Sequence, residues 1–207
     1  MNAAVFFATR EGHTCRIAER IAEDLRARGV DVDLRDVREA GASIPWETYD
    51  AVCLAASVHV GHHEPEMIAF VRAHRAELIR ASAAFVSVTL SQAGVQDAHA
   101  TPDQRSRAKL DVEQMIGTFV RESGWRPAHV LPVAGALMYR QYNFLIRFVM
   151  KRIARKAGAP TDASRNYEFT DWNALDQFVE RSLAPRVDPL AGSSNTTMNA
   201  PAEAEER

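Results

Sequence analysis

A short polar turn near the N-terminus has the composition of an anion-binding loop. Its sequence, TREGHT at residues 9–14, follows an apolar run and opens an amphipathic segment. Unpaired N–H groups and the positive end of the dipole attract anions at such a helix start. Gly12 lets the backbone wrap closely, and the hydroxyls of Thr9 and Thr14 can donate to phosphate oxygens. The alternative is an ordinary strand-to-helix turn in which Thr14 caps the helix.

The spacing of glycine and lysine restricts which phosphate ligand this loop suits. Neither G-x-x-x-x-G-K-[ST] nor G-x-G-x-x-G occurs there, which disfavours nucleoside triphosphates and the common mode of dinucleotide binding. A monophosphate is therefore predicted.

Two further segments are expected at the same edge of the protein. ASVHVGHH, at residues 56–63, and TLSQAG, at residues 89–94, each follow an apolar run and are predicted as loops. Gly61 and small neighbours permit close approach of a planar ring, and His59 and Val60 offer surfaces against it. With the phosphate loop, these segments predict a site for flavin mononucleotide (FMN). His59 could stabilise charge on the ring or assist proton transfer.

Histidines, carboxylates and cysteines are the residues that could support metal or thiol chemistry. Residues 59–66 read H-x-x-H-H-E-x-E, which matches neither H-E-x-x-H nor a zinc knuckle, so no metal site is predicted. Cys15 and Cys53 lie far apart and are predicted to be reduced thiols. Cys15 falls in the first helical turn, where the helix end could lower its pKa, although packing is the favoured role.

The elements that position these loops alternate between strand and helix. Apolar or alternating runs predict five strands, at residues 3–8, 30–37, 51–57, 83–90 and 129–137. Helical periodicity predicts helices beginning after the first turn and at residues 64–78, 102–123 and 171–183, the last capped by Thr170. This order predicts an α/β fold with a doubly wound parallel sheet of order 2-1-3-4-5. Ligands of such sheets bind at the carboxyl ends of strands 1 and 3.

A basic segment interrupts this pattern and predicts an insert at about residues 138–160. Between residues 139 and 158 the chain carries six basic side chains and no acidic one, although its net charge is −2. On a helix, Leu145, Val149 and Ile153 share one face, and Arg147, Lys151 and Arg155 share the opposite one. The pattern predicts a helix that binds an anionic membrane surface through residues 140–156. The alternative is a helix packed on the sheet with a solvated basic face.

Composition limits the remaining possibilities. The mild negative charge argues against a nucleic-acid partner. No apolar run of eighteen residues and no basic-then-apolar leader occurs, which predicts a cytoplasmic protein without a membrane span. Residues 1–184 are predicted to form one domain, and residues 185–207, rich in Pro, Ser, Asn and Glu, a disordered tail.

Several of these motifs together resemble a known family. TREGHT resembles the phosphate loop T-x-T-G-x-T of flavodoxins. FATREGHT, AASVHVGHH, WRP (residues 125–127), AGAL-Y (134–139) and FTDW (169–172) resemble the bacterial quinone-dependent protoporphyrinogen dehydrogenases. The likeness extends over residues 3–183, in order, which makes it more specific than any single motif.

This resemblance implies a flavodoxin-like enzyme that binds FMN and oxidises protoporphyrinogen IX to protoporphyrin IX in haem synthesis. Its electrons would pass to menaquinone or ubiquinone, with the protein held peripherally at the inner face of the cell membrane. The basic segment could then also meet the anionic porphyrinogen. Quinone preference and oligomeric state are not specified. By resemblance, the residues that would bind the cofactor are Thr9, Arg10, Glu11, Gly12, His13, Thr14, Ser57, Val58, His59, Val60, Gly61, Thr89 and Leu90.

The chain departs from the family pattern in two places. Glu11 replaces the central threonine of the flavodoxin loop, where phosphate would repel its carboxylate. We expect this side chain to turn outward, towards Arg10. The segment at residues 91–109 lacks the basic character of the family, which bears on porphyrinogen access more than on flavin binding.

Three other functions share features of this pattern. A soluble flavodoxin-type electron carrier, or an FMN-dependent quinone reductase with another substrate, would share the fold and cofactor. A signalling receiver would need acidic residues where this chain has Thr9, Arg10, Glu11 and Ser57, and is disfavoured.

Overall fold

The structure, a computed structural model, describes residues 1–41, 43–81, 83–137 and 166–183. Strands alternate with helices along most of these ranges. The strands are β1 (Asn2–Ala8), β2 (Asp31–Asp36), β3 (Ala51–His59), β4 (His62–His63), β5 (Ala84–Thr89), β6 (His129–Ala134), β7 (Ala136–Leu137) and β8 (Tyr167–Glu168). The α-helices are α1 (His13–Ala27), α2 (Pro65–Ala73), α3 (Arg75–Arg80), α4 (Leu90–Gln96), α5 (Pro102–Ser123) and α6 (Trp172–Ser182).

Five parallel strands form the main sheet in the order β2-β1-β3-β5-β6. This is the predicted order 2-1-3-4-5, with the short β4 added as an antiparallel partner of the end of β3. Parallel pairing brings the ends of β1 and β3 to one edge, since Ala8 lies opposite Ala56. The loops after these two strands therefore meet, as the doubly wound arrangement predicts.

Alternate residues of β1 face two separate apolar layers. Val5 and Phe7 belong to the layer under α1 and α6, whereas Phe6 and Ala8 belong to the layer under α2 and α5. The predicted inward positions of α1 are fully buried: Ile17, Ala18, Ile21, Ala22 and Leu25. Burying each of the large ones contributes about 1.5–3 kcal/mol, so α1 is held firmly over the strand whose loop it continues.

Helix α5 matches its predicted bounds because both of its ends are specified locally. Thr101 and Gln104 form a capping box at its start, and Gly124, with a φ of 69°, follows its last residue.

Four local predictions were wrong. The helix predicted at residues 64–78 divides at His74 into α2 and α3, because His74 has a non-helical φ of −117° and ψ of 25°. The strand predicted at residues 129–137 ends at Ala134, because Gly135 donates its N–H to Thr89 O and the chain then pairs with β8. The segment predicted as a loop after Thr89 is α4, started by that threonine's side chain.

The fourth concerns the cap of the last helix. Asp171, not Thr170, caps α6, because its carboxylate accepts the N–H of Ala174 at 3.0 Å.

Two predicted segments lie outside the described residues: the basic insert at about residues 138–160 and the tail at residues 185–207. Within the described ranges, no helix combines the length and apolar character that crossing a bilayer requires.

Candidate functional site

The phosphate loop predicted at residues 9–14 is a tight turn between β1 and α1. Gly12 is the N-cap of α1 and has a φ of 83°, a left-handed conformation that favours glycine. Its N–H donates to Thr9 Oγ1 at 3.0 Å, so this hydroxyl fixes the turn and can donate its own proton. A Cβ built on Gly12 would meet no atom within 4 Å. The N-cap of α1 is therefore Gly12 and not Thr14, and the space next to the Gly12 α-carbon is open.

The prediction of a loop at residues 56–63 was wrong, because these residues form the end of β3, a two-residue turn and β4, which together make a β-hairpin. Strand β3 extends to His59, and His59 pairs with His62 across Val60 and Gly61. Both turn residues have positive φ, 50° for Val60 and 83° for Gly61, as turns of the hairpin type require. Val60 is 92% exposed. The turn thus presents an apolar side chain to solvent beside the phosphate loop.

Four charged side chains join these two loops. Arg10 Nε donates to Glu64 Oε2 at 2.8 Å, and Ser57 Oγ donates to Glu64 Oε1 at 3.0 Å. His59 Nε2 lies 3.1 Å from both Glu11 Oε2 and Glu64 Oε1. The His59 contacts are ion pairs shared by one nitrogen rather than aligned hydrogen bonds. We call Arg10, Glu11, His59 and Glu64 the charge cluster.

Contacts within the charge cluster shift the pKa values of His59 and Glu64. Contacts with Glu11 and Glu64 raise the pKa of His59 to about 9, against the opposing effect of burial. Burial works to raise the pKa of Glu64, but its contacts with His59 and Arg10 outweigh burial and lower that pKa. At neutral pH the cluster therefore contains two cations and two anions.

His13 is held by a different set of contacts. Its Nε2 lies 2.7 Å from Thr170 Oγ1, and Thr170 donates its hydroxyl proton to Ala134 O at 2.8 Å. A hydroxyl has one proton, so His13 must donate to Thr170 through Nε2–H. Burial lowers the pKa of His13, which favours the neutral ring, and Nδ1 has no partner among the described residues.

A model of the flavodoxin domain matches residues 4–164 of the chain. A relative from Escherichia coli (strain K12) is 32% identical over 188 residues, covering 91% of this chain and 97% of its own length. It is named protoporphyrinogen IX dehydrogenase [quinone]. The chain belongs to this family.

Two further similar proteins are a second dehydrogenase of this name and a flavodoxin. A protoporphyrinogen IX dehydrogenase [quinone] from Leishmania major is 31% identical, covering 93% of this chain and 79% of its own length. Oxidised Flavodoxin 1 from Bacillus cereus is 16% identical, covers 87% of this chain and 95% of its own, and has a TM-score of 0.43. The flavodoxin domain implies that this member of the dehydrogenase family uses a flavin cofactor.

The structure gathers only some of the predicted site residues. The charge cluster brings Arg10, Glu11 and His59 together, with Ser57 beside them. Thr14 is buried in the first turn of α1, and Val58 pairs with His63 in the hairpin. Thr89 is buried and accepts the N–H of Ser91 at 3.3 Å, while Leu90 begins α4.

One site prediction was wrong. Glu11 contacts His59 rather than Arg10, because Arg10 is taken by the buried carboxylate of Glu64. The packing role favoured for Cys15 is confirmed, since this residue packs against the core, and burial together with neighbouring Glu19 raises its pKa to about 11.

The other histidines of the hairpin have their own partners. His62 Nδ1 lies 3.0 Å from Glu122 Oε1, and His63 Nε2 lies 2.8 Å from Ser87 Oγ in the core. Burial lowers the pKa of His63 to about 4. Across the described residues, no group of three or more His, Cys, Asp or Glu is arranged to hold a metal ion.

Sequence reasoning missed the central role of Glu64 in this member of the family. Its N–H donates to Ser57 O, which places the two residues opposite each other at the base of the hairpin. The sequence feature that could have indicated this contact is Gly61 after an apolar run. A two-residue turn at residues 60 and 61 places residue 57 opposite residue 64.

Proposed function

We propose that this protein oxidises protoporphyrinogen IX to protoporphyrin IX with FMN as its cofactor and a membrane quinone as electron acceptor. The likeness to dehydrogenases of that name across 91% of the chain carries this proposal. When bound, FMN would supply the redox chemistry, and the protein would supply binding, orientation and electrostatics.

The phosphate loop would hold the FMN phosphate. Gly12 leaves open space at the start of α1, where N–H groups lack partners within the helix. Thr9 has a hydroxyl proton to donate to the phosphate. Arg10, His13 and Thr14 would be the other phosphate-binding residues of the loop. Glu11 would contribute its N–H alone, since its carboxylate is drawn to His59. These observations fit a phosphate monoester, which distinguishes FMN from other flavins.

The hairpin and the end of β5 would line the ring. Val60 offers an exposed apolar surface, and Gly61 leaves the backbone beside it uncovered. Ser57, Val58 and His59 would lie along one side of the ring, and Thr89 and Leu90 along another. His59 Nε2 lies between two carboxylates, which favour the protonated imidazolium. This cation would stabilise negative charge that develops on the flavin ring.

The basic segment at residues 140–156 would bring the protein to an anionic membrane surface, where a lipid-soluble quinone is accessible. Its six cations and the apolar face predicted beside them support this part of the proposal. Peripheral attachment at the inner face of the cell membrane would follow.

An absorption spectrum of the purified protein is the first test. We expect bands of oxidised flavin and release of FMN on denaturation; a colourless protein that takes up no added FMN would overturn the proposal. The second test is an anaerobic assay with protoporphyrinogen IX and a menaquinone analogue. Formation of protoporphyrin is expected, whereas a flavoprotein that reduces partner proteins but leaves porphyrinogen unchanged would be an electron carrier.

A further inference from the structure

The carboxylate of Glu11 stands in the loop that the proposed function assigns to a phosphate. A carboxylate beside a phosphate dianion opposes binding unless another group offsets its charge. In this structure Glu11 Oε2 lies 3.1 Å from His59 Nε2, and the Glu11 side chain is only 27% exposed. Glu11 is therefore drawn across to the hairpin instead of pointing freely into solvent.

The groups that face His59 come from both sides of this contact. Glu11 approaches from the phosphate loop, and Glu64, whose side chain is 2% exposed, approaches from the start of α2. Arg10 is bound to Glu64 at 2.8 Å and is not free to neutralise Glu11. With His59 protonated, the charge cluster is electrically balanced; with His59 neutral, it carries one unpaired negative charge. His59 is thus the group on which the charge of the loop depends.

We propose that His59 is a positioning residue for flavin phosphate binding, which pairs with Glu11 and thereby offsets a carboxylate that would otherwise repel the phosphate. This inference rests on the proposed function, because it assigns the loop to a flavin phosphate. His59 acts through Glu11, so the two residues are expected to behave as a coupled pair.

Comparison of two flavins separates this role from a contact with the ring. FMN and riboflavin share the ring, and riboflavin lacks the phosphate. A charge effect on phosphate binding weakens FMN alone, whereas loss of a ring contact weakens both flavins.

The experiment measures dissociation constants for FMN and riboflavin at pH 7 by quenching of flavin fluorescence. We expect His59→Gln to weaken FMN about tenfold more than riboflavin, because loss of any ring contact affects both flavins alike, whereas one unit charge a few ångströms from the phosphate in a largely aqueous environment affects FMN alone. Glu11→Gln is expected to retain FMN affinity, and the double variant His59→Gln/Glu11→Gln to recover it. The matched control is His62→Gln, since His62 lies on the same hairpin but pairs with Glu122.

A second readout needs no flavin. NMR titration of the flavin-free protein is expected to show the pKa of His59 raised to about 9 by its contacts with Glu11 and Glu64. Glu11→Gln should lower this pKa, because it removes one of the two carboxylates that face His59 Nε2.

Three results would overturn the inference: FMN affinity unchanged in His59→Gln, equal losses of FMN and riboflavin, or a double variant that binds FMN no better than His59→Gln. Each leaves the proposed function intact, because the wild-type protein still binds FMN. Wild-type protein that binds neither flavin would overturn the proposed function and this inference with it.

Discussion

Arg10 and Glu64 form an ion pair that joins the phosphate loop to the hairpin, two segments far apart in the sequence. Arg10 Nε lies 2.8 Å from Glu64 Oε2. The arginine side chain is 54% exposed and the carboxylate only 2%. A buried carboxylate depends on each of its partners, because water cannot replace a lost one. The pair therefore fixes the relative position of the phosphate loop and the hairpin.

Replacement of Arg10 tests this connection. We expect Arg10→Met to lower the free energy of unfolding by about 1–2 kcal/mol, because Glu64 loses a charged hydrogen-bond donor while Arg10 itself is half exposed. Urea denaturation measures the change. The matched control is Arg20→Met, which removes a pair of hydrogen bonds to Asp176 at the surface. A loss no larger for Arg10→Met than for Arg20→Met would contradict the prediction.

Comparing alanine substitutions at Gly12 and Gly29 distinguishes the effect of backbone strain from an effect on ligand binding. Both glycines have positive φ, 83° and 79°, at opposite ends of α1, and a Cβ on either meets no atom within 4 Å. Substitution of either by alanine should cost about 1–2 kcal/mol of stability from the left-handed backbone. Only Gly12→Ala should also weaken FMN binding, because only Gly12 lies in the phosphate loop. Equal FMN affinity in the two variants, measured by fluorescence titration, would argue against that assignment.

The raised pKa of His59 predicts a loss of stability on the alkaline side of neutrality. The folded pKa of about 9 exceeds the ordinary value of 6.5, so folding favours the protonated ring. This stabilisation is fully present below pH 6.5 and is lost as the pH rises through 9. The size of this pKa shift limits the contribution of His59 to the free energy of unfolding to at most about 3 kcal/mol.

Unfolding measured at pH 6 and pH 9 checks this effect. The decline should be smaller in His59→Gln than in the wild type, and unchanged in His62→Gln. Identical declines in all three proteins would show that His59 does not titrate as its contacts with Glu11 and Glu64 require.

Charge reversal in the basic segment tests membrane attachment. Lys151→Glu with Arg155→Glu should weaken binding to vesicles containing anionic lipid, since each cation near the surface contributes about 1 kcal/mol. FMN affinity should be unchanged, which separates this effect from misfolding. Sedimentation with anionic and with neutral vesicles measures the difference. Equal binding of the double variant and wild type to anionic vesicles would reject the membrane role.

The sheet order was predictable because its signals are local and repeated. Each buried strand is a short apolar run, and α1 carries its inward residues at regular spacing, so Ile17, Ile21 and Leu25 were assigned correctly. Helix α5 had a capping box and a following glycine at its ends. The family resemblance rested on motifs that these elements hold in order.

The charge cluster was not predictable in the same way, because its partners are far apart in sequence. Fifty-four positions separate Arg10 from Glu64, and no periodicity connects them. The nearest cation in sequence therefore suggested the wrong partner for Glu11. The N-cap of α6 was predicted wrongly for a related reason. The hydroxyl of Thr170 is hydrogen-bonded to His13 and to Ala134 O, and these contacts depend on the tertiary structure.

The two-stranded ladder of β7 and β8 sets Leu137 opposite Tyr167, so the two residues that flank positions 138–166 are neighbours in space. Extra sequence spliced between such neighbours changes little beyond a closure entropy that grows slowly with length. Evolution could therefore lengthen, shorten or exchange the intervening stretch while the parallel sheet and its loops stayed as they are. Under the membrane role proposed for residues 140–156, membrane targeting and redox chemistry would then be separable traits, adjustable one at a time in a single gene.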